Sequence, residues 1–420
     1  MNPELSAQAE RLRTAAALLG IPLTITRIWQ VGSVACFALS FDPRISLREL
    51  KSRQDDLSRL AYAPVTISQD PATAAVIAQM PATRRQRLIA GPNAPRLSGA
   101  RIAIGRLTSG AGDAVLDFAS PSHAHLLIVA ATGGGKTEAI HTILYQLARQ
   151  NRPSQISFLL IDPAGNRIHQ AWDQRAHLVR TTVRAQLDQA VEALEWAARL
   201  VQARNAAHAA PSPRLIVVVD EMASLFMGGR AQAERAQLAL QTIAQLGRAV
   251  GVHAVLATQY ASREFLGSAF IRANLRARLV GRVDSAQASA LATGRDGCDA
   301  HRLLGYGDFL LVDDVGVRRL QVALSRPDAV ATLPAATPRG NLPGCALPPP
   351  APAAQPPAAA PQPQALTPPP LEADLMEKMR ALLAADPDAS NRKIELALFG
   401  YTGGSATTTV KRLREQLCAA

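Results

Sequence analysis

Apolar and polar positions follow two rhythms along the chain, and the change from one to the other divides it. Residues 5–19 carry apolar side chains at helical spacing, ended by Gly20. Residues 22–30 and 34–41 are rich in Thr, Ile, Val and aromatics, a strand composition, with Gly32 at the turn between them. A second helical pattern covers 45–60 and a short strand 65–67. Together these predict a small α/β domain over residues 1–98, in which no catalytic signature lies. Residues 91–106 read as loop. From His125 the rhythm changes: short, wholly apolar runs at 126–129, 158–161, 215–219, 254–256, 278–280 and 309–312 alternate with helical stretches. Runs without polar alternation are what strands covered on both faces require. The prediction for 99–333 is therefore an α/β domain with a mainly parallel sheet and helices on both faces, its ligand site at the carboxyl ends of the strands.

After residue 333 the rhythm stops. Residues 343–370 are almost entirely Pro, Ala, Gln and Leu, so 334–370 is expected to be a disordered linker, with a reach on the order of 100 Å when extended. Residues 371–420 must then be an independent module. Leu371, Leu375, Met379 and Leu382 have helical spacing, and Asp386-Pro387 stops that helix. Ser390 or Asn391 caps a second helix through Leu398, ended by Gly400. A third carries Val410, Leu413 and Leu417 on one face and Thr407, Thr408, Lys411, Arg412 and Arg414 on the other. This predicts a small helical, helix-turn-helix or winged-helix-like DNA-binding domain in which Thr407, Thr408, Lys411 and Arg412 meet DNA. A helical protein-interaction module is the alternative.

Composition adjusts this picture in three ways. The chain has 420 residues, 48% of them hydrophobic but only 4% aromatic, so its cores must be built from Ala, Leu, Val and Ile. The net charge of +12 favours a polyanionic partner, although an Arg-, Ala- and Pro-rich composition also contributes to it. Cys36, Cys298, Cys345 and Cys418 stand far apart with no C-x-x-C pair, which predicts reduced thiols rather than a metal site or disulfides. The first residues lack a basic segment followed by an apolar one, and no apolar run approaches the roughly 18 residues of a membrane span. The expectation is a soluble, cytoplasmic protein without a membrane segment of its own.

The chemistry concentrates where the apolar runs end. After Leu126-Leu127-Ile128-Val129 comes Ala130-Ala131-Thr132-Gly133-Gly134-Gly135-Lys136-Thr137-Glu138. This fits the phosphate-binding pattern G-x-x-x-x-G-K-[ST] with Ala130 at the first glycine. Three glycines let backbone N–H groups close on phosphate oxygens, and the helix opening at Lys136 directs its positive end at the same anion. Residues 131–138 are the predicted nucleotide cradle. A second apolar run ends in Asp220-Glu221. Asp220 is expected to hold a Mg2+ ion opposite Thr137, and Glu221 to orient and deprotonate the attacking water. A third run ends in Thr258-Gln259, which places the Gln259 amide near the γ-phosphate or that water. ATP and Mg2+ are the predicted cofactors.

Taken together, 131–137, Val218-Val219-Asp220-Glu221-Met222-Ala223, Gly247-Arg248-Ala249-Val250-Gly251-Val252-His253 and Leu256-Ala257-Thr258-Gln259 resemble the FtsK/SpoIIIE DNA translocases. Leu303-Leu304-Gly305-Tyr306-Gly307-Asp308 matches the family's L-L-G-x-G-D element, and Ile161-Asp162-Pro163 its I-D-P-K strand end, with Ala164 for the lysine. The likeness covers roughly 21–322. It implies a RecA-like P-loop motor, ATP hydrolysis, and a homo-hexameric ring around double-stranded DNA. Arg248 would then be a finger completing a neighbouring subunit's site, and Arg272 a channel residue gripping phosphate. Two channel arginines of the family are absent, at Tyr260-Ala261 and in 283–290, which leaves the manner of gripping DNA to other residues such as Arg276, Arg278 or Arg282. The alternatives are an FtsK-type ATPase driving protein secretion and a nucleotide-switched DNA-binding regulator.

Overall fold

The fold comes from a computed structural model, which describes residues 2–91, 94–165, 167–180, 182–262, 269–336, 370–386, 389–399, 410, 413 and 414. The chain forms two compact units, residues 1–348 and 349–420.

The first unit opens with helix α1 (Pro3–Leu18). Asn2 caps it by accepting the Glu4 N–H, and Pro3 stands where no N–H is needed. Strands β1 (Leu23–Val31) and β2 (Val34–Phe41) then pair antiparallel around the predicted turn. The single helix expected over 45–60 is two, α2 (Leu47–Ser52) and α3 (Gln54–Leu60). Arg53, at φ −90 and ψ 4, leaves the helical geometry between them and turns Leu50 and Leu57 into one core. Strand β3 (Thr66–Gln69) comes next, and β4 (Val76–Pro81), which was not expected, pairs with both β2 and β3. The result is a four-stranded antiparallel sheet of order β1-β2-β4-β3, covered by α1 to α3.

The second sheet of this unit has ten strands. In chain order they and their helices are β5 (Arg101–Leu107), β6 (Asp113–Asp117), β7 (Leu126–Val129), α4 (Lys136–Gln150), β8 (Ile156–Asp162), β9 (Val183–Arg184), α5 (Leu187–Ala206), β10 (Arg214–Val219), α6 (Arg230–Leu246), β11 (Val252–Thr258), α7 (Ala269–Asn274), β12 (Ala277–Val280), α8 (Ala286–Thr293), β13 (Asp308–Asp313), β14 (Gly316–Val322) and α9 (Pro327–Ala331). The order is β6-β5-β14-β13-β12-β7-β11-β10-β8-β9. From β12 to β9 every pair is parallel; from β12 outward to β6 every pair is antiparallel. All six predicted strands are present, and all but β7 are longer than expected, by one to four residues. Their alternate side chains go to opposite faces. Leu126, Ile128, Ile216 and Val218 enter a core with α4, while Leu127, Val129, Leu215, Val217 and Val219 enter another with α5 and α6. Two cores on one sheet explain why those strands have no polar side.

Part of the segment read as loop, 101–106, is strand β5. A bulge at Ala103/Gly105 breaks its alternation. At Gly105 an added Cβ would lie 2.1 Å from the Gln321 carbonyl, so only glycine lets β14 come alongside.

The small sheet and the large one meet through buried polar groups. Arg319 forks onto Asp308, Nε to Oδ1 at 2.8 Å and Nη2 to Oδ2 at 2.6 Å, and its Nη1 donates to Gln79 Oε1 at 2.9 Å. Gln79 in turn donates to Thr108 Oγ1 at 2.8 Å. Ser33 Oγ donates to Gln321 Oε1 at 2.8 Å. Cys36 lies beside this group, its thiol pushed up to about 12 by burial.

The second unit contains α10 (Pro370–Ala385) and α11 (Asn391–Phe399), as predicted, around Met379, Ala389, Ile394, Val410 and Leu413. Arg414 Nη1 donates to Asn391 Oδ1 at 2.6 Å. Thr407, Thr408, Lys411 and Arg412, and the linker 337–369, lie outside the described residues.

Candidate active site

Parallel strands present their carboxyl ends along one edge, and the three predicted nucleotide motifs sit on that edge. The phosphate loop follows β7, Asp220 and Glu221 follow β10, Thr258 ends β11 and Gln259 follows it. The loop runs into α4, whose capping residue Gly135 has φ +98. There a Cβ would stand 2.9 Å from the Gly307 nitrogen, so the position needs glycine on both counts. Ala130 has no such demand. It is buried, and a Cβ on Gly134 would already lie 2.9 Å from its own, so a small residue is what the site requires. The N–H groups of Lys136, Thr137 and Glu138 are those a helix leaves without an internal acceptor, and they open onto the cleft.

Lys136 is only 8% exposed, and it gathers the acids. Its Nζ donates to the Asp220 carbonyl, to Asp220 Oδ1 at 3.2 Å and to Glu221 Oε2 at 3.3 Å. Asp220 also receives His169 Nε2 on Oδ2 at 3.1 Å, and His141 Nε2 lies 3.2 Å from His169 Nδ1. Burial works against the Asp220 carboxylate, but the His169 hydrogen bond and the Lys136 charge outweigh it and hold the pKa down to about 2. Asp220 therefore stays ionised at any physiological pH.

Glu221 is held from two sides. Thr258 Oγ1 donates to its Oε1 at 2.8 Å and the Gln259 N–H to its Oε2 at 3.1 Å. The Gln259 side chain turns back over the phosphate loop, where Thr132 Oγ1 donates to its Oε1 at 2.7 Å. These contacts fix a carboxylate beside the place where the loop would present a phosphate. Thr137 and Asp220 line the same cavity of about 1030 Å3. A hydroxyl and a carboxylate are the hard oxygen donors that suit Mg2+, so the residues fit that ion.

The other predicted residues lie elsewhere. Arg248 is exposed, on the turn Gly247–Val250 beside His125, at the starting edge of β7 and so away from its own phosphate loop. Arg272 lies on α7, its carbonyl accepting Arg278 Nη2 at 3.5 Å. Arg278, one of the candidate substitute grips, is half-buried and donates to the carbonyls of Leu291 and Ala292, where it ties α8 down. Arg276 and Arg282 are exposed.

Two residues of the site were missed from sequence. Thr258 stood in the quoted Thr-Gln pair, but only the geometry shows that its hydroxyl orients Glu221. His169 gave no signal: it sits on a single 3-10 turn, Arg167–Trp172, 51 residues from the carboxylate it meets.

The sequence profile of the FtsK/SpoIIIE family matches residues 90–210 and 199–263. The DNA translocase FtsK of Bacillus cereus is 26% identical over 343 residues, which are 74% of this chain and 42% of that protein. The DNA translocase FtsK of Helicobacter pylori is 31% identical over 227 residues, 49% of this chain and 26% of that protein. The chain thus spans less than half the length of the curated relatives it matches. Among solved structures, the pCW3 conjugation coupling protein TcpA in its monomer form with ATPγS aligns with a TM-score of 0.51 at 18% identity, over 78% of this chain and 99% of that one. That likeness is one of fold. Among the described residues no helix is long and apolar enough to cross a membrane.

Proposed function

We infer that this chain, whose motor region belongs to the FtsK/SpoIIIE family, is an ATP-driven translocase of double-stranded DNA that works as a ring oligomer. The observation that carries the ATPase part is the Lys136–Asp220–Glu221 cluster on the edge where the phosphate loop ends. Lys136 now bridges the two acids. A triphosphate entering the loop offers it a stronger partner, and its departure frees Glu221 Oε2 while Thr258 and Gln259 keep that carboxylate aimed. Glu221 then accepts a proton from the attacking water. Mg2+, when bound by Thr137 and Asp220, supplies charge to the phosphate oxygens. Gln259, poised over Thr132, senses whether the γ-phosphate is present.

DNA as the substrate is supported by the naming of the relatives as DNA translocases and by the net charge of +12. A ring is supported by Arg248, which is exposed and too far around the sheet to serve its own cleft, as a residue acting on a neighbour would be. Arg272 and the second unit, residues 371–420, are the proposed DNA contacts.

Triplex displacement tests the whole reading. Wild-type protein with ATP should strip a third strand from duplex DNA, and Lys136→Ala should not. A wild type that hydrolyses ATP but never displaces the strand would rule out translocation and leave an ATPase with another load.

A further inference from the structure

The cleft is lined by more than the phosphate loop. Beside the phosphate loop, Asp220 and Gln259, its walls are Tyr306, residues 321–324 at the end of β14, and 85–88, the segment leaving the small domain. Tyr306 is unusual there. It holds a left-handed backbone, φ +55, which a bulky residue adopts at a cost, and the residue is 65% exposed where it lines the cleft. Its N–H donates to the Gly133 carbonyl at 3.4 Å, and its carbonyl accepts Gln321 Nε2 at 2.9 Å, so the backbone that aims the ring is fixed to the phosphate loop itself. Over the ring lies the Arg85 guanidinium, 4.1 Å from its centroid. The segment bearing Arg85 is pinned on both sides: Gln86 N–H to the Gly32 carbonyl at 3.0 Å, and Leu324 N–H to the Leu88 carbonyl at 2.7 Å.

The stretch 322–324 offers this wall no free N–H. The N–H groups of Val322, Ala323 and Leu324 donate to Gly307, Ile104 and Leu88. Among the residues lining this wall, Arg85 and Tyr306 form a flat cationic-aromatic plate, the chemistry that stacks a heteroaromatic ring.

We propose that Arg85, held flat on Tyr306, forms the shelf on which the base of the bound nucleoside triphosphate stacks, so that the small domain supplies part of the nucleotide site of the same chain. This rests on the reading of the phosphate loop as an ATP site. It makes the first domain a component of the catalytic cleft rather than an appendage, because removing it would remove Arg85.

Titration calorimetry of the full chain with ATP and with inorganic tripolyphosphate tests it. The wild type should bind ATP more tightly than tripolyphosphate. In Arg85→Ala and in Tyr306→Asn, ATP affinity should fall by roughly tenfold or more towards that of tripolyphosphate, whose own binding stays as it was. Asparagine tolerates the left-handed backbone, so that variant removes the ring without straining the fold. Tyr306→Phe should bind ATP as the wild type does. Lys136→Ala should weaken both ligands; if it weakens neither, the phosphate-loop reading itself is at fault. The shelf is overturned if Lys136→Ala weakens ATP while Arg85→Ala and Tyr306→Asn do not, or if those two weaken tripolyphosphate as much as ATP.

Discussion

At the scale of single residues, the site separates binding from hydrolysis. Lys136 and the first turn of α4 face phosphate, whereas Glu221 is aimed by Thr258 and Gln259 and meets the loop only through Lys136, a contact that phosphate would take over. Glu221→Gln should therefore keep ATP affinity and lose turnover by about 10²- to 10⁴-fold, the usual contribution of a general base, in steady-state ATPase assays paired with a binding titration. Thr258→Val keeps the shape and removes one hydrogen bond to a charged group, worth about 1.5–3 kcal/mol, so turnover should fall roughly ten- to a hundredfold with binding intact. Turnover equal to the wild type in Thr258→Val would mean that the hydroxyl does not orient the base. The acids and the lysine were legible in the sequence because each belongs to a motif that follows a wholly apolar run. Thr258 and His169 were not, since their role depends on which strand lies beside which, and strand order is invisible along the chain.

At the scale of elements, the same contrast recurs. The parallel strands are buried on both faces and announce themselves as apolar runs. The strands β4 and β14 carry polar or charged residues into an interface and do not, and β5 loses its alternation at a bulge. Gln79, Arg319 and Gln321 look like surface residues in sequence, yet they join the two sheets. Asp308→Ala would leave the Arg319 guanidinium buried without its carboxylate. Breaking a buried pair in this way costs about 3–5 kcal/mol, to be seen as a lower urea midpoint, and Asp308→Leu with Arg319→Met should recover much of the loss. A second pair sits where β7 and β11 begin. His125 Nδ1 accepts the Ala254 N–H at 3.1 Å, and His253 Nδ1 lies 2.9 Å from the Ala124 carbonyl, with both rings buried. Burial pushes both pKa values down, His125 to about 4 with help from Arg248, His253 to about 3 with help from His125. Below the ordinary value of 6.5 the unfolded chain takes up protons that the folded one refuses, so stability is full above pH 6.5. It is lost as pH falls towards those folded values. At pH 5 the pair should cost about 4 kcal/mol relative to pH 7. Thermal melts across that range should show the drop, and His253→Gln should remove about half of the pair's share of it; an unchanged slope would place the acid sensitivity elsewhere.

At the scale of the whole molecule, two proposals extend beyond one cleft. The second unit is joined to the first by a long Pro- and Ala-rich stretch, so deleting 371–420 should weaken DNA binding in gel shifts without altering basal ATP hydrolysis. Unchanged DNA affinity would favour a protein partner for the tail. The ring makes a sharper demand. If Arg248 serves the neighbour's cleft, each active site is assembled from the phosphate loop of one subunit and the arginine of the next. Arg248→Ala and Lys136→Ala should then each be inactive alone, one for want of a finger and the other of a loop lysine. When equal amounts are mixed and allowed to reassemble, about one quarter of the interfaces pair an intact loop with an intact arginine, as a head-to-tail ring of randomly drawn subunits requires. Activity should reappear on mixing and scale with the fraction of such interfaces. An arginine working only within its own chain cannot be rescued in this way, since no subunit in the mixture carries both groups. Mixing thus separates a shared site from a private one, because only groups on two different chains can restore each other's activity.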